Sequence, residues 1–314
     1  MPPAPTRLFD THAHFFTDDT VRYPVDVGNS KESAESLLAR IATNPVTDTY
    51  LLDQWDQCGV VGGAAVQYSS IYKTDNSYAV DVGDAHRDRM TTVLILNAAE
   101  PSTPAKLRTL ATGHNVSGLR LAGPRDADGT FPWLDSRAAL DTWEAADALG
   151  LHIALMYYPA DQSAAALDRI AALARRFPAT NIFLDHCGWP SLANGDAGTI
   201  GPEHRALVDI PNIHFKFTQI NFDRFAPYAI SPTIFVRHMV DIFGAHRLMW
   251  GSDYGNSKLS YEEMVAQALS SVSLLTPEEQ TQVLCDNGKG WFLDGWRTEH
   301  RSRPATARRG AYPD

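Results

Sequence analysis

The sequence predicts a single-domain α/β protein, a (β/α)8 TIM barrel, and three observations lead to this fold class. Short runs rich in valine, isoleucine, leucine and aromatic residues recur eight times along the 314 residues, and each is too short for a typical helix. The segments between these runs have helical periodicity or helix-capping residues. Strands that alternate with helices favour a parallel sheet, and eight is the number that closes a barrel. No glycine-rich phosphate loop follows the first run, which disfavours a doubly wound open sheet.

The eight predicted strands are spread evenly over the chain and carry strong strand formers. They are Leu8–Phe15, Val60–Tyr68, Thr92–Asn97, Val116–Leu121, His152–Tyr158, Asn181–Cys187, Ile213–Ile220 and Leu248–Asp253.

The helices between the strands are indicated by periodicity and by capping residues. An apolar stripe at three- and four-residue steps predicts an amphipathic helix after the fifth strand. Thr276 precedes Pro277 and stands three residues before Glu279, as in a capping box. Four glycines stand where a helix should end shortly before the next strand. The stripe consists of Leu167, Ile170, Ala171, Ala174 and Phe177, and the glycines are Gly59, Gly113, Gly150 and Gly244.

Two connections are longer than a barrel needs. Residues 16–45 follow the first strand as a long loop with a short helix at Ala34–Ala42, and Trp189–Pro202 follow the sixth strand. Both should lie above the carboxyl ends of the strands, where barrels build their sites. We expect the barrel to occupy residues 1–293. Residues 294–314 form a polar, arginine-rich tail, either draped on the surface or contacting another subunit.

Composition limits the partners and the compartment. Lys and Arg total 27 against 37 for Asp and Glu, so no global basic field exists to hold nucleic acid. Three well-separated cysteines, Cys58, Cys187 and Cys285, are not a disulfide framework and fit a reducing cytoplasm. No secretory leader or membrane span is apparent. We expect a cytoplasmic protein with a small polar or anionic substrate, and a homodimer is compatible with the sequence.

The first strand ends in a group of residues able to do chemistry. Residues two apart on a strand point to the same side, so His12 and His14 should project together, along with Asp10. Two adjacent imidazoles can chelate a metal ion or stabilise a developing oxyanion. The alternative is two polar residues that merely complete the mouth of a barrel.

Two other strands end in the same kind of residue. His186 ends the sixth strand and Asp253 the eighth, so both should lie at the same end of the barrel as His12 and His14. Polar residues at the carboxyl ends of barrel strands are typical of catalytic sites. The four residues together predict a functional site on the barrel axis.

Six motifs occur one after another along the chain. They are Phe9–Phe16, Arg22–Pro24, Gly118–Leu121, Asp185–Pro190, Asn212–Phe217 and Arg247–Asp253. With them the chain resembles the amidohydrolase superfamily, and within it the amidohydrolase-related branch of lactonases and 2-pyrone-4,6-dicarboxylate hydrolase. The resemblance runs from about Leu8 to Leu293, and it implies the same (β/α)8 barrel.

The resemblance implies hydrolysis of a lactone or similar cyclic ester of a small carboxylated or polyhydroxylated molecule. Asp253 matches the family's general base, which takes a proton from the attacking water. His12, His14 and His186 match the histidines that polarise the carbonyl and stabilise charge on the tetrahedral intermediate.

The ligand set of His12, His14 and Asp253, with His186 nearby, suits one divalent metal ion, with zinc preferred, and leaves a position open for water. The branch that the chain resembles also includes enzymes that work without a divalent ion. Strand four offers Arg120 and not the lysine that binuclear relatives carboxylate. One metal or none is therefore expected, and not two.

Further strand-end residues are candidates for substrate binding. Arg120 and Arg125 have the geometry to bind a substrate carboxylate, unless they form ion pairs within the protein. Tyr157 has a phenol that can donate to a carbonyl, although Met156 or Tyr158 is the alternative inward-facing residue and core packing is also open. The other candidates are Lys216, Gln67, Tyr68 and Asn97.

Histidines elsewhere are not expected to act on substrate. His152 opens its strand at the bottom of the barrel, where stability is the usual role. The rest are expected at the surface. These are His86, His114, His204, His238, His246 and His300.

Two other function classes stay open. A zinc-dependent, non-oxidative decarboxylase of an aromatic or muconate-type acid is one, since Tyr254 follows Asp253 as it does in such enzymes. Gly255 stands where those enzymes have proline. The other is a ligand-binding barrel without catalysis, and the intact set of three histidines and Asp253 argues against it.

Overall fold

The computed structural model describes residues 6–30 and 32–294, and its eight strands form one sheet in the order β1 to β8. Every neighbouring pair is parallel, which confirms the (β/α)8 barrel. The strands are β1 Leu8–His14, β2 Val60–Val66, β3 Met90–Ile95, β4 Val116–Pro124, β5 His152–Tyr158, β6 Ile182–Leu184, β7 Ile213–Thr218 and β8 Leu248–Gly251.

Helices fill the connections between the strands. They are α1 Ala34–Thr43, α2 Asp48–Cys58, α3 Ser69–Tyr72, α4 Ser77–Ala85, α5 Thr103–Gly113, α6 Pro132–Asp135, α7 Arg137–Leu149, α8 Ser163–Arg176, α9 Gly195–Gly198, α10 Pro202–Arg205, α11 Gln219–Phe225, α12 Pro232–Phe243, α13 Tyr261–Ser271, α14 Pro277–Thr281 and α15 Asn287–Lys289. α14 and α15 belong to one helical stretch that runs on to Asp294 through two π-helical segments.

The barrel closes just beyond the end of β8. Tyr254 bridges Ala13 in parallel fashion. The backbone amide of Asp253 donates to the carbonyl of His12 at 2.7 Å, and that of His14 donates to Tyr254 at 3.0 Å. The residues predicted to do chemistry on β1 and after β8 therefore lie side by side.

Apolar side chains pack on both sides of the sheet. The larger core cluster lies between the strands and the surrounding helices. A smaller one gathers side chains from six strands, among them Phe9, Phe183 and Met249, with Phe292 from the C-terminal helical stretch. Because adjacent residues of these strands belong to the larger cluster, the smaller one fills the barrel interior. The polar groups of the site therefore lie above an apolar floor.

Local signals in the sequence place most helix ends correctly. The stripe predicted on α8 is buried, and Thr276 caps α14 in a complete capping box. Gly59 and Gly150 end α2 and α7 in the left-handed conformation that favours glycine. Gly113 was expected to act in the same way, but it is the last residue of α5, and His114 follows as the cap in an extended conformation.

Strand ends agree less well with the prediction. β6 was expected to continue to Cys187 but ends at Leu184, because a left-handed turn begins at His186. β7 ends at Thr218 instead of Ile220, since Thr218 caps α11. The long connections after β1 and β6 are present, with α1 and α9 inside them. Of the predicted tail, residues 294–314, Asp294 ends the C-terminal helical stretch and residues 295–314 lie outside the described residues. None of the helices within 6–30 and 32–294 is long and apolar enough to cross a membrane.

Arg247 joins β8 to the chain segment that precedes β7, at the bottom of the barrel. Its guanidinium is buried and donates to four backbone carbonyl oxygens at 2.7–3.0 Å. Those oxygens belong to Leu207, Val208, Ile210 and Ile213. Without the guanidinium, several buried acceptors would lose their partner, which is more costly than the loss of an average hydrogen bond.

We predict that Arg247→Met lowers the free energy of unfolding by at least about 2 kcal/mol, because it leaves buried carbonyl oxygens unpaired. Urea unfolding followed by circular dichroism measures the change. Arg237→Met is the matched control, since Arg237 forms part-exposed pairs with Asp241 and Glu279, and its cost should stay below about 1 kcal/mol. Equal costs for the two variants would contradict the role given to Arg247.

Candidate active site

His12 and His14 lie at the carboxyl end of β1, but Asp10 does not join them. The carboxylate of Asp10 accepts hydrogen bonds from Ser252 and from the phenol of Tyr261 on α13. The expectation that all three project together is wrong, because the register of β1 shifts between Asp10 and Ala13. Such an irregularity breaks the two-residue alternation of a strand.

Asp185 occupies the centre of the site and is fully enclosed. One carboxylate oxygen accepts from Nε of Arg120 at 2.7 Å. The other lies 3.6 Å from Nζ of Lys216 and 3.4 Å from Nδ1 of His12. One carboxylate thus contacts side chains from β1, β4 and β7. The prediction treated Asp185 only as part of a motif, and the structure makes it the link between the site's residues.

His186 stands in an unusual backbone turn. His186, Cys187, Gly188 and Trp189 all have φ between 53° and 62°, a conformation that costs non-glycine residues energy. Asn221 donates to the carbonyl oxygen of His186 at 2.8 Å.

His204 and Tyr157 hold the same turn from below. Nε2 of His204 lies 3.1 Å and 3.0 Å from the carbonyl oxygens of Cys187 and Gly188, and the phenol of Tyr157 donates to Gly188. The expectation that His204 lies at the surface is therefore wrong, because its ring is buried against the turn and holds it in place.

Asp253 is held in one orientation by the loop that follows β8. Its backbone is also left-handed, with φ 58°. Asn256 and Ser257 donate to Oδ2 at 3.0 Å and 3.2 Å. Oδ1 therefore faces the histidines, 3.3 Å from Nε2 of His14 and 3.6 Å from Nε2 of His12.

The ring contacts of the two histidines fix which nitrogen can bind a cation. Nδ1 of His14 is 3.0 Å from the carbonyl oxygen of Val66, so Nδ1 carries the proton and Nε2 a lone pair. Nδ1 of His12 faces Asp185, which favours the same tautomer. Three lone-pair atoms, two Nε2 and Oδ1 of Asp253, then face one another. That arrangement is stable only with a proton or a cation among them.

The three atoms also have the spacing of a metal site. All lie within 4.8 Å of one another. Ligand atoms around a tetrahedral zinc ion are about 3.3 Å apart, close to the two distances measured from Asp253. Nε2 of His12 has no hydrogen-bond partner among the described residues. His12, His14 and Asp253 therefore fit a divalent metal. His186, the fourth predicted ligand, lies outside this group, with its ring 5.6 Å from that of His12.

Burial sets the charge of the site. It lowers the pKa of His12 to about 3 and that of His186 to about 4, against the opposing effect of nearby carboxylates. Both rings are therefore neutral at pH 7. Burial alone would raise the pKa of Asp253, but the contacts with its three histidines lower it below the usual range. For Asp185 the same opposition to burial comes from His12, Arg120 and Lys216, and its pKa lies well below the usual range.

A cavity of about 600 Å³ opens above these residues. Of the predicted site residues, five line it: His14, Tyr68, Arg120, His186 and Asp253. His12 is buried beneath them. From β5 the cavity is lined by Met156 and Tyr158, the alternatives to Tyr157.

The remaining predicted residues do not line this cavity. Tyr157 and Lys216 support it from below, and Gln67 is buried, with its amide donating to backbone carbonyls of residues 73 and 75. Arg125 is exposed, and it donates to the carbonyl of Gly129 and to Gln162. Asn97 is also exposed and contacts Glu100.

Several cavity residues were missed. Lys73 lies just after α3, and Asn256 holds Asp253 from the loop after β8. Nothing in the local sequence distinguishes them from ordinary loop residues. Asp185 did have a signal, since it directly precedes His186 at a strand end.

Fold and site together define a (β/α)8 barrel with a polar, metal-compatible centre at the carboxyl ends of β1, β6 and β8. The family model described as amidohydrolase matches residues 9–289. The chain belongs to the amidohydrolase family.

Individual relatives agree with this placement. The chain is 27% identical over 187 residues to an L-fucono-1,5-lactonase of Burkholderia ambifaria, an alignment that covers 59% of this chain and 62% of the relative. A probable 2-pyrone-4,6-dicarboxylic acid hydrolase of Acinetobacter baumannii, solved with citric acid bound, has a TM-score of 0.67 at 17% identity, with 91% of this chain and 98% of that one covered. A dihydroxybenzoic acid decarboxylase of Polaromonas sp. JS666, solved with manganese and 2-nitroresorcinol, has a TM-score of 0.63 at 12% identity, with 94% and 98% covered. At these identities the two structures show the shared fold.

We predict that Asp185→Asn lowers the free energy of unfolding by about 3–5 kcal/mol, because two buried cations lose their counter-charge. Urea unfolding measures the change, and Asp135→Asn, which removes a part-exposed partner of Arg169, serves as the control.

The double variant Asp185→Asn/Lys216→Met should recover at least about 1 kcal/mol of that loss, since one unpaired cation is gone. If the loss in the double variant equals the sum of the losses in Asp185→Asn and Lys216→Met, Asp185 and Lys216 are not coupled.

Proposed function

We propose that this protein is a hydrolase that opens a lactone or a similar cyclic ester of a small carboxylated or polyhydroxylated molecule. The observation that carries the proposal is the convergence of His12, His14 and Asp253 at the floor of a cavity. The lactonase relative from Burkholderia ambifaria supports the substrate class. Because the alignment covers less than two thirds of that relative, the activity stays our proposal.

We further propose that His12, His14 and Asp253 hold one divalent metal, with zinc favoured by the nitrogen and oxygen ligands. When bound, such an ion supplies Lewis-acid polarisation of a carbonyl or water. Burial keeps the His12 imidazole neutral, and a neutral imidazole is the form that coordinates a metal.

In the proposed reaction a water molecule attacks the lactone carbonyl carbon, and the carboxylate of Asp253 takes its proton. The new C–O bond places a negative charge on the carbonyl oxygen. His186 is the candidate to donate to that oxygen, since Thr218 contacts its Nδ1 at 2.7 Å and leaves Nε2 for the substrate. The bond to the ring oxygen then breaks, and the proton held by Asp253 passes to that oxygen. The product is a hydroxy acid.

Roles for the other predicted residues follow from their positions. Arg120 and Tyr68 line the cavity, and we assign them to substrate binding. Lys216 and Tyr157 contact the groups that carry the site and act as positioning residues. Gln67, Asn97 and Arg125 point elsewhere, and we assign them no contact with substrate. The cytoplasmic location and a homodimer stay predictions from the sequence.

A decarboxylase is the second candidate, because a decarboxylase is among the structures with this fold. The sequence feature in its favour was Tyr254. Its phenol, however, bonds to the phenol of Tyr50 at 2.9 Å, away from the cavity lining. We therefore rank lactone hydrolysis first.

The purified protein should consume base in a pH-stat assay on a panel of sugar lactones and should release no CO2 from aromatic or muconate-type acids. Asp253→Asn should lower kcat by about 10²- to 10⁴-fold, because the water loses its base. Ser257→Ala is the control, since it removes only one contact to the opposite oxygen and should cost less than about tenfold.

Metal content measured on the same samples separates loss of the base from loss of a ligand. CO2 release together with inert lactones would reverse the ranking of the two functions.

Metal analysis of the purified protein should find about one divalent ion per chain, and dialysis against a chelator should remove both the ion and the activity. His14→Ala should bind no metal, because one of three protein ligands is missing. His246→Ala, which changes an exposed histidine at the bottom of the barrel, should keep it. Full lactone hydrolysis by metal-free protein would show that this chain works without a divalent ion.

A further inference from the structure

One wall of the cavity is built by two loops that bind each other. The hydroxyl of Ser30, after β1, donates to the carbonyl oxygen of Ser70, after β2, at 2.7 Å. The amide of Asp26 donates to Ile71 at 2.7 Å. These two connections place Lys73 beside the loop after β1, and all but Ile71 of the five residues line the cavity.

Within the described part of the chain, Lys73 differs from Arg120 and Lys216 in having no acidic partner. Its ammonium donates to Oγ of Ser30 at 2.9 Å and to the carbonyl oxygen of Ser70 at 3.4 Å, which are both neutral groups. Among residues 6–30 and 32–294, no carboxylate lies within 4 Å of it. Arg120 and Lys216, by contrast, share the carboxylate of Asp185. The positive charge of Lys73 is therefore uncompensated within the described part of the chain.

The backbone at Lys73 is held in place at some energetic cost. Its φ is 51° at the end of α3, where glycine is the usual residue. The buried amide of Gln67 donates to the carbonyl oxygens of Lys73 and Asp75, which holds the turn. A strained residue in a cavity wall is typical of a functional position.

We propose that Lys73 binds a carboxylate of the substrate. This inference rests on the proposed lactone hydrolysis and narrows it to lactones that carry an acid group, such as the lactones of sugar diacids. The exposed carboxylate of Asp26, on the same wall, suits the hydroxyl groups of such a ring, because a carboxylate accepts hydrogen bonds. In this proposal Lys73 contributes to substrate binding and takes no part in breaking the lactone bond.

The test compares D-glucaro-1,4-lactone with D-glucono-1,4-lactone, which differ only in a terminal carboxylate against a hydroxymethyl group. The wild type should have a higher kcat/KM for D-glucaro-1,4-lactone than for D-glucono-1,4-lactone. Lys73→Met should lower the ratio of the two kcat/KM values by about 10- to 100-fold, because a hydrogen bond to a charged group contributes about that much to binding. The loss should appear in KM and leave kcat nearly unchanged, as expected for a group that binds substrate and transition state equally.

Two further variants complete the design. Lys73→Arg keeps the charge and should keep the preference. Lys258→Met removes a lysine from the loop after β8, outside the cavity lining. It should change kcat/KM for neither lactone. Melting temperatures confirm that each variant is folded. A preference of the wild type for the neutral lactone overturns the role of Lys73. So does a ratio of the two kcat/KM values that is the same in Lys73→Met as in the wild type.

Binding of the open-chain products separates this inference from the proposed function. If the wild type opens neither these two lactones nor the others of the panel, lactone hydrolysis fails, and calorimetric binding of D-glucarate against D-gluconate still decides the role of Lys73. Tighter binding of the diacid that is lost in Lys73→Met supports a carboxylate site. Equal binding of both acids by the wild type contradicts it.

Discussion

The site depends on one buried carboxylate, that of Asp185. Two cations, Arg120 and Lys216, reach the barrel interior from β4 and β7, and burying either of them there without an anion would be costly. The same carboxylate faces His12 and favours the tautomer that turns Nε2 toward Asp253. The carboxylate of Asp185 therefore fixes both the charge balance beneath the cavity and the orientation of His12.

Backbone conformation supplies the second constraint. His186 and Asp253 both leave their strands in the left-handed region, which non-glycine residues adopt only when the surroundings hold them. The turn at His186 is held by Asn221, His204 and Tyr157, whose side chains contact three consecutive carbonyl oxygens.

Two-residue alternation along a strand did not by itself decide where individual side chains point. Asp10 left the site because β1 changes register, and Tyr157 lies below the cavity while Met156 and Tyr158 line it. Gln67 directly follows β2 but uses its amide to hold a loop. In each case a contact with a distant segment decided the orientation, and one chain segment does not report such contacts.

The sequence by itself determined the barrel, because strand length, apolar runs and helix caps are local properties that recur with the right order. It also predicted the three histidines and Asp253 as candidates for the site, since polar residues at strand ends stand out against apolar strands. Only the tertiary structure decided which of these residues meet, that Asp185 binds them together, and that Lys73 lies in the cavity wall. The physical reason is that ion pairs, left-handed turns and loop contacts join residues that are far apart in the chain.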